Sequence, residues 1–572
     1  MPFGMGRDEY ASRYGPTTGD RIRLADTDLW VQVEEDHVGY GDEPLWGYGK
    51  NIRSRMTQSD AATSDSELDV LVAGVVVIDP HLGVIKANIG IKDGRIVGIG
   101  RAGNPDLTAG IDMTIGPKTL PIMGYGLIAT AGAIDSHVHL ITPRLVPVAL
   151  AAGVTTLITA GFEEPPLAME HTLRALEHSP VNVGLQASAR TDRSGAVEAL
   201  VEAGSIGLKI HEDWGAYPEV IDATLRLADE HDIAVCLHTD SLNESAQLSD
   251  TVEAIAGRAI HAYHVEGVGG GHIPDLLGLV REPNIVCSST TPTIPFGPGA
   301  LEEHVDMIMA VHANNPLVAS DREAVAARIR ATTMAAEGPL HELGAISIVN
   351  SDSQGMGRIG ETVRRTFQLA DAMKSWRRSE LGQDWPDAPH SGAAGEGRPA
   401  DNDRVPRYLA KITAEPAIVH GIQGDVGSLL PGRQADIVLW SPGWFGVRPR
   451  LILKAGHFGW GALGEGNASV EGSEPVVMAP HWGATGAAAA RVATTFVSEA
   501  ASQAQLRAHL ESRRRFAVVS GTRTVHRGSL LSNTATIPID IDPGDGTVSL
   551  GGRVLRCDPV DRVPMNRRHL LM

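Results

Sequence analysis

The sequence predicts an α/β fold: a (β/α)₈ barrel flanked by a β-rich domain that is assembled from both chain ends. Three observations lead there. Residues Leu68–Ile99 hold β-branched runs broken by Asp-Pro, Leu-Gly and Asp-Gly pairs, as successive hairpins do. From about Ala131 short apolar strands alternate with helix-like stretches, the rhythm of a parallel sheet. After the middle of the chain, strand character returns at Gly432–Trp440 and again from Phe516 to Arg556.

In chain order, residues 1–130 read as the first part of the β-rich domain. Residues 131–424 read as the barrel. Its strands include GVTTLIT (153–159), VNVGLQ (181–186), SIGLKIH (205–211), IAVCLH (233–238) and NIVCSS (284–289). Between them AVEALVEAG (196–204) and YPEVIDATLRLADEHD (217–232) carry helical periodicity. Residues 425–572 return to the β domain. The segment Leu381–Val405 is rich in Gly, Pro, Ala and Asp and is expected to form a flexible excursion.

Bulk composition narrows the function. Apolar residues make up 42% and charged residues 21% of the 572, as in an ordinary globular protein long enough for at least two domains. With 69 acidic and 49 basic side chains the net charge is −20, which disfavours nucleic-acid and membrane-surface partners. Three cysteines, Cys236, Cys287 and Cys557, cannot make a disulfide framework and fit a reducing cytoplasm. The start, MPFGMGRDEY, has no apolar core of the kind a signal peptide needs, and no apolar run reaches membrane-spanning length. A cytoplasmic protein with a small-molecule substrate is the expectation. The 22 histidines are a generous supply of metal ligands and acid–base groups.

The chemistry gathers at strand ends. In Asp135-Ser136-His137-Val138-His139, strand alternation places His137 and His139 on one face, so both imidazoles can reach one ion. Lys209 in SIGLKIH, His238 in IAVCLHTD, His264 in AIHAYHVEG and Asp352 in VNSDS occupy comparable positions. Residues at the C-terminal ends of barrel strands converge on one mouth. A protonated lysine would repel cations. As a carbamate, formed with CO₂, it would instead bridge two ions about 3.5–4 Å apart, between which water loses a proton near neutral pH.

This ordered set of HxH, Lys, His, His and Asp resembles the metal-dependent amidohydrolase superfamily. Longer stretches are similar to the large (alpha) subunits of ureases: YGPTTGDRIRLADTDLW (14–30), GLKIHEDWGA (207–216), LHTDSLNES (237–245), YHVEGVGGGH (263–272) and SDSQGMGR (351–358). The resemblance runs almost end to end. It implies nickel-dependent hydrolysis of urea to ammonia and carbamate, with two Ni²⁺ per chain bridged by carbamylated Lys209 and a hydroxide. His238 and His264 would hold one ion; His137, His139 and Asp352 would hold the other. His211 would bind the substrate carbonyl. His312, in a flap spanning about residues 303–330, would act as general acid or electrostatic partner, positioned by Asp213 and Arg328. Gly271 and His272 match a glycine-rich loop beside the site, with Gly271 contacting substrate. The implied partners are urease beta and gamma subunits, or a fused beta-gamma chain, in a trimer of heteromers loaded by nickel maturation proteins.

Three positions depart from the family pattern. Val311 stands where the flap usually has a cysteine. The loop in TAGFEEPPLAMEH (159–171) is shorter than expected and brings Glu163 and Glu164, which would suit a larger or cationic ureido, guanidino or amide substrate. Residues 381–405 are longer than expected. A non-catalytic paralogue is the remaining alternative, and retention of all six ligands with His211 and His312 argues against it.

Overall fold

In a computed structural model of the chain, residues 4–41, 43, 57–161, 165–211, 215–238, 247–266, 276–312, 314–380, 400–461 and 486–566 are described. Glu163, Glu164, Asp213, Gly271, His272 and most of the 381–405 segment lie outside them, as do the side chains of Ser194 and Arg328.

A nine-stranded sheet draws on two separate stretches of chain. Its centre is the antiparallel pair Val70–Asp79 and Gly83–Lys92, and Arg95–Gly100 adds to the latter strand. The connecting turn places Asp93 at φ 49° and Gly94 at φ 74°. Two successive positive φ angles are what a tight primed hairpin turn demands, and Asp-Gly is the pair that supplies them at least cost. Val70–Asp79 is buried at all ten positions because both of its faces are covered. On its other side Ile128–Ala131 runs parallel to it and antiparallel to Ile437–Trp440, beyond which lie Leu451–Lys454 and His457–Gly461; Glu35–Asp36 beside Gly83–Lys92 and Leu120–Met123 beside Val70–Asp79 complete the sheet. The strand expected within Gly432–Trp440 therefore pairs with the strand that leads into the barrel.

Eight parallel strands make the barrel: β1 (Ala133–Val138), β2 (Val154–Thr159), β3 (Asn182–Gly184, resumed at Gln186–Ser188), β4 (Gly207–Ile210), β5 (Ala234–His238), β6 (Ile260–Tyr263), β7 (Ile285–Thr290) and β8 (Ile348–Asn350). The first half of β3 pairs with β2 and its second half with β4. A parallel bridge from Val138 to Ser353 closes the ring between β1 and β8. Helices lie between the strands, as in Ser194–Glu202 and Pro218–His231. The latter starts on a proline at its first turn, where the missing N–H costs nothing.

One expectation needs correction. Residues from Phe516 were expected to rejoin the β domain, but Arg515–Val518 pairs in parallel with Thr494–Val497, which in turn pairs with β3. The physical reason is Arg514. Its guanidinium is fully buried and donates to the carbonyls of Leu176, Ser179, Val181 and Thr494 and to the Thr495 hydroxyl. A buried cation so fully bonded ties this segment to the barrel floor. The rest of the stretch forms a separate three-stranded antiparallel sheet, Ile539–Ile541, Val548–Leu550 and Arg553–Val554. Among the described residues no helix is long and apolar enough to cross a membrane.

Candidate metal centre

The strand ends deliver the expected side chains to one mouth. His137 lies in β1 and His139 just beyond it. Lys209 lies in β4 and His211 follows that strand. His238 ends β5, His264 directly follows β6, and Asp352 stands two residues after β8. His264 and Asp352 both adopt left-handed backbone, at φ 50° and 49°. Such a conformation is uncommon for a residue with a side chain and is held only where the surroundings dictate it.

Asp352 is the hub. Its Oδ1 lies 3.3 Å from His137 Nε2 and 3.0 Å from His139 Nε2, and its Oδ2 lies 3.6 Å from His264 Nε2. The His238 ring centroid is 4.5 Å from that of His264, and His211 is 4.2 Å from His238. Burial alone would raise the Asp352 pKa, but the imidazoles of His137, His139 and His264 outweigh it and hold the carboxyl well below the usual range. Burial, with the Lys209 charge adding to it, keeps His137 neutral far below its ordinary pKa. A carboxylate beside the neutral His137 imidazole is the protonation state that metal ligation requires.

The donor set fits a divalent metal. His137 Nδ1 is buried and makes no hydrogen bond among the described residues, a costly condition that coordination nearby would answer by fixing the ring as a ligand. Lys209 is buried, with Nζ 4.0 Å from the centre of the Tyr263 ring, and Tyr263 stacks at 4.2 Å on His137. The amine therefore sits inside the barrel beside the ligands rather than at the surface.

Several supporting residues were not singled out in the sequence. Asp135 accepts from the backbone of Ser351 at 3.0 Å and from the Thr362 hydroxyl at 2.9 Å, fastening β1 to the Asp352 loop; burial raises its pKa to about 6. Gln354 Oε1 accepts from the backbone of Ile141 and Thr142, a second clasp across the same joint. Glu266 Oε1 stands 3.8 Å from His264 Nδ1, and Thr290 donates to it at 3.4 Å. Burial pushes the Glu266 carboxyl up to about 8. No spacing rule marks these residues, because their partners are far away in the chain.

Two glycines allow close approach. A Cβ on Gly161 would stand 2.9 Å from Lys209 Cβ, and one on Gly355 would stand 2.5 Å from Asp352 Oδ1 and 3.0 Å from His139 Cδ2. Gly355→Ala should therefore displace the Asp352 carboxylate and lower metal affinity by about tenfold or more, the scale seen when a ligand's support is disturbed. Metal content after dialysis at fixed free ion checks this, and an unchanged content would defeat it.

Over the mouth lies the flap, in helices Ala300–Val311 and Ala319–Arg328. A cavity of about 230 Å³ is walled by His137, His139, His211, His238 and Asp352 on one side and by Val311 and His312 on the other. The His312 Nδ1 lies 3.3 Å from the Ile308 carbonyl, one helical turn back. Val311 is 43% exposed, whereas Cys236, Cys287 and Cys557 are all buried. Maleimide should accordingly leave hydrolytic activity intact, since no exposed thiol stands in the flap. Rapid inactivation in a timed assay would contradict this.

Comparison with known proteins agrees along the chain. Residues 3–122 match the family model for the urease alpha-subunit N-terminal domain, and residues 128–462 match that for the amidohydrolase family. The chain is 46% identical over 570 residues to urease subunit alpha 1 of Streptomyces avermitilis, covering 98% of this chain and 99% of that relative. Among solved structures, a D-hydantoinase aligns with a TM-score of 0.47 and 15% identity over 68% of this chain and 95% of its own. The dihydropyrimidinase from Brevibacillus agri aligns with a TM-score of 0.46 and 16% identity over 68% of this chain and 94% of its own.

Proposed function

The chain belongs to the urease alpha-subunit family, and from that premise we propose that it hydrolyses urea to ammonia and carbamate at a pair of nickel ions in the barrel mouth. As a urease-type catalytic subunit it is a hydrolase of C–N bonds. The observation that carries the finer reading is the convergence of four imidazoles, Asp352 and the buried Lys209 on one mouth beneath the flap histidine.

In this reading Lys209 would be carbamylated and supply an anionic ligand, His238 and His264 would hold one nickel, and His137, His139 and Asp352 would hold the other. Bound there, the two ions would polarise a carbonyl oxygen and lower the pKa of a shared water toward neutrality. The protein's own residues do the rest. His211 donates an imidazole N–H to the urea carbonyl oxygen, fixing its orientation and favouring the charge that develops there. His312 keeps Nδ1 toward the Ile308 carbonyl, which leaves Nε2 to give a proton to the departing amine. By the family resemblance Asp213 and Arg328 would position that imidazole, and Gly271 would contact the substrate. Beta and gamma subunits, or a fused beta-gamma chain, complete the enzyme as a trimer of heteromers in the cytoplasm, after loading by maturation proteins.

The test is ammonia release from urea by the chain co-expressed with its beta, gamma and maturation partners in nickel medium. Preferred turnover of urea over larger ureido, guanidino and amide compounds is expected. Two bound ions with no urea turnover, but turnover of one of those analogues, would overturn the substrate.

A further inference from the structure

One layer below the mouth, the barrel interior holds a second cluster of ligand side chains. Strand register pairs Cys236 of β5 with His261 of β6, and His238 with Tyr263 directly above them. Alternation turns Cys236 and His238 to the same side of β5, two residues apart. The third member, His420, caps the helix Ala414–Val419. Cys236, His261 and His420 are all buried and each offers a donor atom within 4.8 Å of the others. Tyr263 separates the two clusters, stacked on His137 at 4.2 Å on one side and edge-on to His261 at 4.5 Å on the other.

We propose that Cys236, His261 and His420 form a further metal site, distinct from the mouth and suited to a borderline-soft divalent ion such as zinc. Three features support it. The Cys236 sulfur lies 3.9 Å from His261 Nδ1. A tetrahedral ion with Zn–S of about 2.3 Å and Zn–N of about 2.0–2.1 Å holds such donors about 3.5 Å apart, so closure needs only a small movement. Both ring nitrogens of His420 are buried with no hydrogen-bond partner among the described residues. An imidazole with neither nitrogen satisfied is rare in a protein interior, and a metal bond would answer it. All three side chains are also buried, so the donors are held together away from competing solvent.

The donor chemistry sets the ion class. One thiolate and two imidazoles favour zinc-like ions over magnesium or calcium, and the bound ion itself deprotonates the thiol, whose proton leaves to solvent. A cavity of about 10 Å³, whose lining includes His261, Val419, Thr522 and Arg523, lies beside this layer. The ion would tie β5 and β6 to the segment around His420, and the site stands whether or not urea is the substrate at the mouth.

Cobalt(II) tests this without reference to activity. The full chain, stripped with chelator, is titrated with Co²⁺ alone and followed by visible and near-ultraviolet absorption. The mouth ligands contain no sulfur, and the Cys287 sulfur is engaged by the Arg527 guanidinium at 2.9 Å. A thiolate-to-cobalt charge-transfer band saturating at one sulfur-bound ion per chain is expected. It should persist in His137→Ala, disappear in Cys236→Ala, and lose intensity or shift in His420→Gln. Absence of the band from the wild-type chain, or its survival in Cys236→Ala, would overturn the proposal. If Cys236→Ala does not fold, His420→Gln decides, and an unchanged band there would be equally fatal.

Discussion

Lys209→Met should leave a folded chain that no longer hydrolyses urea, with activity lowered by about 10⁴-fold or more, equivalent to ~5.5 kcal/mol of transition-state stabilisation. Methionine preserves most of the stem volume in a position that is 2% exposed. What it removes is the amine beside Tyr263, and with it the only atom able to become the bridging carbamate of the proposed site. Without that anion, two cations would face each other across neutral imidazoles and a single carboxylate, so the second ion should be lost first. Metal analysis should find one ion or fewer per chain, against the two of the proposed site. Loading of the apo wild type should need bicarbonate, while the variant should be indifferent to it. Two retained ions together with near-normal turnover in the variant would defeat the bridging role.

The legible part of this protein was the part written in local pattern. Strands that end on or just before His, Lys or Asp bring these side chains to one mouth by topology alone, so their convergence could be read from strand ends. The Asp-Gly at residues 93 and 94 announced its hairpin because few other pairs accept two positive φ angles. What stayed hidden depends on distance in sequence. Nothing near Phe516 says that Arg514 will be buried among carbonyls of residues 176–181 and draw a strand to the barrel. Likewise Asp135, Gln354 and Glu266 support the ligands through partners that only the closed barrel supplies. The left-handed backbone of His264 and Asp352 is a further case, since both are residues that local rules would place in extended or helical conformation. Cys236 and His261 were within stretches read for their neighbours His238 and His264, yet they belong to a different layer.

His312→Ala is the complementary experiment, because it should separate proton delivery from metal binding. His312 stands at the end of a flap helix and shares the cavity with His137, His139, His211 and Asp352, but it belongs to no cluster of ligand atoms among the described residues. The variant should therefore keep two ions and bind urea with little change in KM. Its kcat should fall by about 10²–10⁴-fold, the usual contribution of a positioned general acid. Lowered kcat and kcat/KM in equal measure would mark an interaction made in the transition state rather than in substrate binding. Alanine removes the ring while the helix keeps its Ile308 carbonyl open to solvent or to the following turn, so the flap itself should persist. A further reading sharpens the outcome. Leaving-group dependence should steepen across amides of increasing basicity, because the poorest leaving groups need the proton most. A variant with kcat within about threefold of wild type would show that the proton comes from elsewhere. In that event the flap would act by closing the cavity, and Val311, which carries no ionisable group, would serve that purpose as well as His312.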